Sequence, residues 1–171
     1  MLLPICKYPS PVLAQVCEPV GEITPEIRKL AADMAETMYE AEGIGLAAPQ
    51  VGVPVCMVVI DISGPEERAA LMTLINPRLT LMGEEVESEE GCLSVEEYRN
   101  TVLRSSRVRC EATDLEGNPV DLLAEEILAI CLQHEIDHLK GVLFLDHLSR
   151  LKRSLFDSRL RKQAKRKDSD E

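Results

Sequence analysis

The chain has 171 residues and a net charge of −11, with 45% apolar residues but no Trp, two Phe and three Tyr. That length suits one domain with one substantial aliphatic core, and the acidic balance argues against DNA as a partner of the body. The charge is uneven, with nine Lys/Arg against four Asp/Glu from Arg150 to Glu171, and ten against 26 before it. Pro4 interrupts the brief apolar start, and the longest later apolar run, Val51 to Ile60, has strand length and contains Gly52 and Pro54. Neither a secretory signal nor a membrane span is expected, and the cytoplasm is the expected compartment. Six cysteines read there as thiols rather than disulfides.

In chain order, Thr24-Pro25 reads as an N-cap followed by proline at the first helical position. Ile27, Leu30, Ala31, Met34, Met38 and Ala41 then recur at helical spacing, and Gly43 closes the segment. The string Gly43 to Gln50 is small and glycine-rich. It reads equally well as a helix stop with a loop, or as backbone that a peptide can approach and pair with. Val55 to Ile62 and Leu71 to Ile75 read as strands, the second broken by Asn76-Pro77. Arg107 to Thr113 alternates Val108, Cys110 and Ala112 inward, and a turn over Asp114 to Pro119 leads into Val120 to Leu123 as a hairpin. A second helix is expected from about Ala124 to Lys140, stopped by Gly141. Beyond Phe144 and Leu145, Leu148, Leu151, Leu155, Phe156 and Leu160 form a helical stripe before the charged end fades into disorder. The order helix, strands, helix predicts an α+β fold, with antiparallel sheets packed around a central metal-binding helix and a C-terminal helical tail.

The strongest chemical signal is His134-Glu135-Ile136-Asp137-His138. Two imidazoles four residues apart project from one helix face and can share a divalent metal, with Glu135 beside it to take a proton from water. A surface helix carrying two solvated histidines is the plain alternative, but the apolar run Ile127 to Leu132 makes the helix a buried one. A catalytic site needs a third donor. Phe144 occupies the position where one metalloprotease class has a third His, and no Glu occurs from Leu139 to Asp170. His147 has no ligand motif around it. Cys131 lies about 10 Å along the helix axis from His138 and reads as a wall residue. Cys92, in Glu90-Gly91-Cys92-Leu93-Ser94, is left to complete a His₂Cys set, and Gln50 offers an amide donor for a developing oxyanion.

Three strings together, Gly43 to Gln50 (G-x-G-x-A-A-x-Q), Glu90 to Ser94 (E-G-C-L-S) and Gln133 to His138 (Q-H-E-x-D-H), resemble the peptide deformylases in order and spacing. The similarity runs from near Leu3 to about Leu151. It implies hydrolytic removal of the N-formyl group from the formyl-methionine of nascent polypeptides, releasing formate. Cys92, His134 and His138 would ligate Fe²⁺, with Zn²⁺, Ni²⁺ or Co²⁺ able to substitute. Water activated at the metal would attack the formyl carbon, Glu135 would be general base and then acid, and Gln50 with the Leu93 backbone N–H would hold the oxyanion. The same resemblance implies a methionine pocket of Ile44, Ile127, Ile130 and Cys131, and backbone hydrogen bonds to substrate from Gly45. Glu96 stands where the family usually has proline, and Glu126 where it often has glycine. These departures bear on local stability and substrate preference.

Residues 1–150 are expected to form the catalytic domain, and 151–171 a basic, helical, partly disordered tail. That tail reads either as a solvated face or as an element docking on ribosomal RNA. Two other functions compete: a zinc endopeptidase, argued from H-E-x-x-H alone, and a metal-stabilised binding module, which needs a fourth protein ligand that the sequence does not offer.

Overall fold

A computed structural model describes residues 1–169. Among these residues there are four helices, α1 (Pro25–Glu40), α2 (Gly64–Glu67), α3 (Glu126–Leu139) and α4 (Arg150–Ser169), with 3-10 turns at Pro11–Ala14, Ala48–Val51 and Phe144–His147. Five strands, β1 (Gly45–Ala47), β2 (Met57–Ile60), β3 (Met72–Cys92), β4 (Val95–Thr113) and β5 (Pro119–Glu125), form one antiparallel sheet in the order β1-β2-β3-β4-β5.

The start of α1 follows its sequence signals. The Thr24 hydroxyl accepts the Ile27 amide at 3.3 Å, and Pro25 occupies the first turn. Its apolar face buries Ala31, Met34, Ala35 and Met38 against Leu46, Met57 and Val59. The four residues of β2 are all fully buried because α1 covers Met57 and Val59 while α3 covers Val58 and Ile60. A strand covered on both faces reads as an unbroken apolar run rather than an alternating one. Helix α3 packs against all five strands, burying Ala129, Leu132, Ile136 and Leu139 with Val58, Leu74, Val108 and Cys110. Its central position is what the sequence predicts.

Three local expectations are corrected. Asn76-Pro77 does not end its strand: β3 runs through it, with a register shift between Ile75 and Arg78. Asn76 adopts φ 51°, and its amide side chain takes the Val20 N–H and donates to the Val20 carbonyl, both at 2.8 Å. The breaker has become a bulge, for which Asn tolerates the left-handed backbone. Helix α3 begins at Glu126 rather than Ala124, because Ala124 and Glu125 still pair with Val108 and Arg107 in β5. The tail stripe is narrower than expected: Phe156 is buried, but Leu151 and Leu155 are 70% and 62% exposed. The expected helical tail is α4, helical through Ser169, and residues 170–171, at the charged end expected to fade into disorder, lie outside the described residues. No described helix is long and apolar enough to cross a membrane.

Candidate metal centre and substrate cleft

The hairpin β3–β4 delivers Cys92 to α3. Cys92 pairs with Val95 around the tip Leu93-Ser94, whereas the preceding pair is Gly91 with Arg99, so Glu96, Glu97 and Tyr98 bulge out of the ladder. One helical turn separates His134 and His138, whose ring centroids lie 5.1 Å apart. The ligand atoms of Cys92, His134 and His138 all fall within 4.8 Å of one another, and Cys92 Sγ lies 3.5 Å from His138 Nε2. A tetrahedral ion with bonds near 2.0–2.3 Å needs donor separations of about 3.5 Å, so small adjustments close the set around one ion. The third donor expected from the sequence therefore sits where the helix lacks one. His147 is elsewhere, with its Nε2 2.9 Å from Asp137 Oδ2.

Two of the three donors have a hydrogen-bonding support, whereas the buried Nδ1 of His138 has no partner. His134 Nδ1 meets Glu90 Oε1 at 2.9 Å, which leaves Nε2 free for a metal. Arg104 grips Glu90 with two bonds of 2.8 Å and reaches Asp137 Oδ2 at 2.7 Å. Glu90 and Arg104 are both buried. Burial would raise the Glu90 carboxyl, but its bonds to Arg104 and His134 prevail and hold it near 2. Burial likewise opposes protonation of His134, yet its hydrogen bonds to Cys92 and Glu90 raise it to about 10. Burial, aided by His134, keeps His138 well below its ordinary value and therefore neutral. Gln133 fixes the helix to β4, accepting from the Ser105 amide and donating to the Ser105 carbonyl, both at 2.8 Å.

Glu135, like His138, is left without such a support. Burial pushes its carboxyl up to about 7, and its Oε2 is buried with no hydrogen-bond partner. A carboxylate in that state suits a proton acceptor for water at an adjacent ion, so donor set and orphan oxygen together fit a bound metal. Gly45 explains part of the small-residue string, since a Cβ there would lie 2.8 Å from Glu135 Oε1 and 3.0 Å from Cys131 Sγ. Gln50 is 1% exposed. Its Oε1 takes the Ala47 amide at 2.9 Å, and its Nε2 donates to Ser94 Oγ at 3.1 Å and Cys92 Sγ at 3.5 Å. The amide thus already orients the cysteine.

These groups lie in a cleft of about 780 Å³, also lined by Ile44, Gly45, Leu93, Ile127, Ile130 and Cys131. All sequence-predicted site residues except buried His138 line it. Sequence reasoning assigned no role to Glu90, Asp137 or Gln133, although each lies inside a motif, and missed Arg104, which no local pattern marks. Of the two departures, Glu96 forms an exposed pair with Lys7 at 3.3 Å. Glu126 adopts φ 53°, a left-handed backbone that glycine adopts without strain.

Fold and site together define a metal-dependent hydrolase with an extended substrate cleft. Comparison with known proteins narrows this. Residues 2–154 match the family model of polypeptide deformylase. A peptide deformylase of Psychrobacter arcticus is 49% identical over 165 residues, covering 96% of this chain and 89% of that protein. The crystal structures of peptide deformylases from Thermus thermophilus and Legionella pneumophila superpose with TM-scores of 0.89 and 0.87 at 38% and 40% identity. The first covers 100% of both chains, and the second 96% of this chain and 98% of its own. The chain belongs to the polypeptide deformylase family.

Proposed function

We propose that this cleft removes the N-formyl group from the formyl-methionine of nascent polypeptides, with one ion held by Cys92, His134 and His138. The observation that carries the reading is the convergence of these three donors beside the unpartnered Glu135 Oε2. When bound, the ion lowers the pKa of a water ligand and polarises a carbonyl oxygen. Glu135 accepts the proton of the attacking water and returns one to the departing amine. The Gln50 amide, whose 3.5 Å contact to sulfur is the weaker of its two donations, and the Leu93 N–H stabilise the oxyanion. Ile44, Ile127, Ile130 and Cys131 receive the methionine side chain, and the Gly45 backbone pairs with the peptide.

One thiolate and two imidazoles suit a borderline divalent metal and not a hard, oxygen-seeking one. Fe²⁺ is the ion we assign, with Zn²⁺, Ni²⁺ or Co²⁺ as substitutes. The assignment is tested by the metal content of protein purified without oxygen. Six free cysteines agree with a reducing, cytoplasmic setting. The exposed Lys and Arg residues of α4 support docking on ribosomal RNA. Removing residues 163–171 should weaken ribosome binding in a salt-dependent way while sparing the packed part of the helix.

Formate release from formyl-Met-Ala-Ser by Fe²⁺-loaded protein tests the activity. Release from the formyl peptide, with no cleavage of an unformylated internal peptide bond, is expected. Internal cleavage without formate would establish a peptidase instead.

A further inference from the structure

The expected boundary at residue 150 treats the last helix as an appendage, but the packing does not. Phe156 is 5% exposed, and its ring lies 4.6 Å from that of Tyr98 and 5.7 Å from that of Tyr8. Tyr98 also stacks on Phe144 at 6.1 Å, and Phe144 stacks on His134 at the same spacing. Arg153 adds a 2.9 Å bond to the Tyr8 hydroxyl, and Tyr8 N–H donates to Ser94 at the hairpin tip at 2.7 Å. Cys92 itself packs against this cluster.

The position of Tyr98 gives this packing a consequence. Glu97, Tyr98 and Arg99 line the substrate cleft, and Glu97 adopts φ 53°. Glu96 to Tyr98 have no partners in the β3–β4 ladder, so strand pairing holds this wall only at its Arg99 end, opposite Gly91. The Tyr98 ring, seated between Phe144 and Phe156, holds the rest. These wall residues are neither metal donors nor part of the apolar methionine pocket, so they meet the peptide beyond its first residue.

We propose that Phe156 of α4 is a positioning residue of the cleft, holding the Glu97–Arg99 wall through Tyr98 and so setting how the enzyme grips substrate residues after methionine. This rests on the deformylase reading above. It predicts an effect that depends on substrate length. Phe156→Ala should lower kcat/KM on formyl-Met-Ala-Ser about fivefold, mainly through KM, the size expected for about 1 kcal/mol of binding. Turnover of formyl-Met amide and the metal content should stay unchanged. Phe156→Leu should fall between, and Leu155→Ala, on the exposed face of the same helix, should match wild type. Equal loss on both substrates through kcat, or no loss on either, would overturn the proposal.

A second measurement covers a Phe156→Ala chain that fails to fold, or a wild type inactive on both peptides, which would overturn the deformylase reading itself. Trypsin cleavage after Arg99, a report on local opening, should be faster in folded Phe156→Leu than in Leu155→Ala. Equal cleavage would overturn the wall assignment independently of turnover.

Discussion

On the helix side of the metal centre, His134 is fixed by charge: Glu90 holds its ring, Arg104 holds Glu90, and Asp137 completes the chain. On the hairpin side, Cys92 is fixed by packing. Apart from the Gln50 amide, His134 and His138, its surroundings are the apolar and aromatic cluster that includes Val95, Val102 and Phe144. A buried ion pair is strongly destabilising when half of it is removed, because the partner charge stays behind. An apolar cluster loses stability in proportion to the volume removed. The helix side should therefore fail abruptly and the hairpin side gradually.

The largest expected effect separates chemistry from both supports. Glu135 belongs to α3 and is buried there, but its Oε2 holds nothing. Glu135→Gln should cut kcat about 10²–10⁴-fold, with metal content and melting temperature near wild type. Loss of metal together with activity would make Glu135 part of the scaffold.

Glu90→Gln should come next. It leaves Arg104 buried with Asp137 alone and should cost about 3–5 kcal/mol in denaturant unfolding, with metal affinity falling about 10–100-fold. The pH dependence has a definite sign. The folded carboxyl lies near 2, below the unfolded value of about 4.3. Its contribution is therefore fully present above the unfolded value and is lost as pH falls towards 2. The stability gap between wild type and Glu90→Gln should shrink over that window; a gap constant down to pH 2 would deny the charge argument.

On the hairpin side, Val95 pairs with Cys92 and is 4% exposed. Val95→Ala should cost about 1–3 kcal/mol and weaken metal binding less than Glu90→Gln does, as read by competition with a chelator. The reverse order would collapse the comparison. The smallest effect is a gain: Glu126→Gly should stabilise by about 1 kcal/mol by relieving the left-handed backbone at the start of α3, measured by thermal melting.

The same contrast explains what was legible in the sequence. The helix ligands are local, four residues apart, so one turn of helix announces them. Cys92 was reachable because the helix left one coordination position open and the other donors could be set aside. Arg104 was not legible, since its partners lie 14 and 33 residues away and meet it only through sheet register. The long middle of β3 and β4 was missed because acidic residues from Glu84 to Glu90 mask its alternation. Asn76-Pro77 misled because a bulge and a turn use the same residues. The tail stripe named the right side chains but too many of them: Phe156 is buried by contacts with Tyr98 and Tyr8, which no periodicity within α4 reveals.

Cobalt substitution tests most directly whether helix and hairpin meet on one ion. The account predicts one Co²⁺ per chain with a thiolate-to-metal charge-transfer band, retained in Glu135→Gln and lost in Cys92→Ser. A band that survives Cys92→Ser, or stoichiometric binding with no thiolate band in wild type, would contradict it.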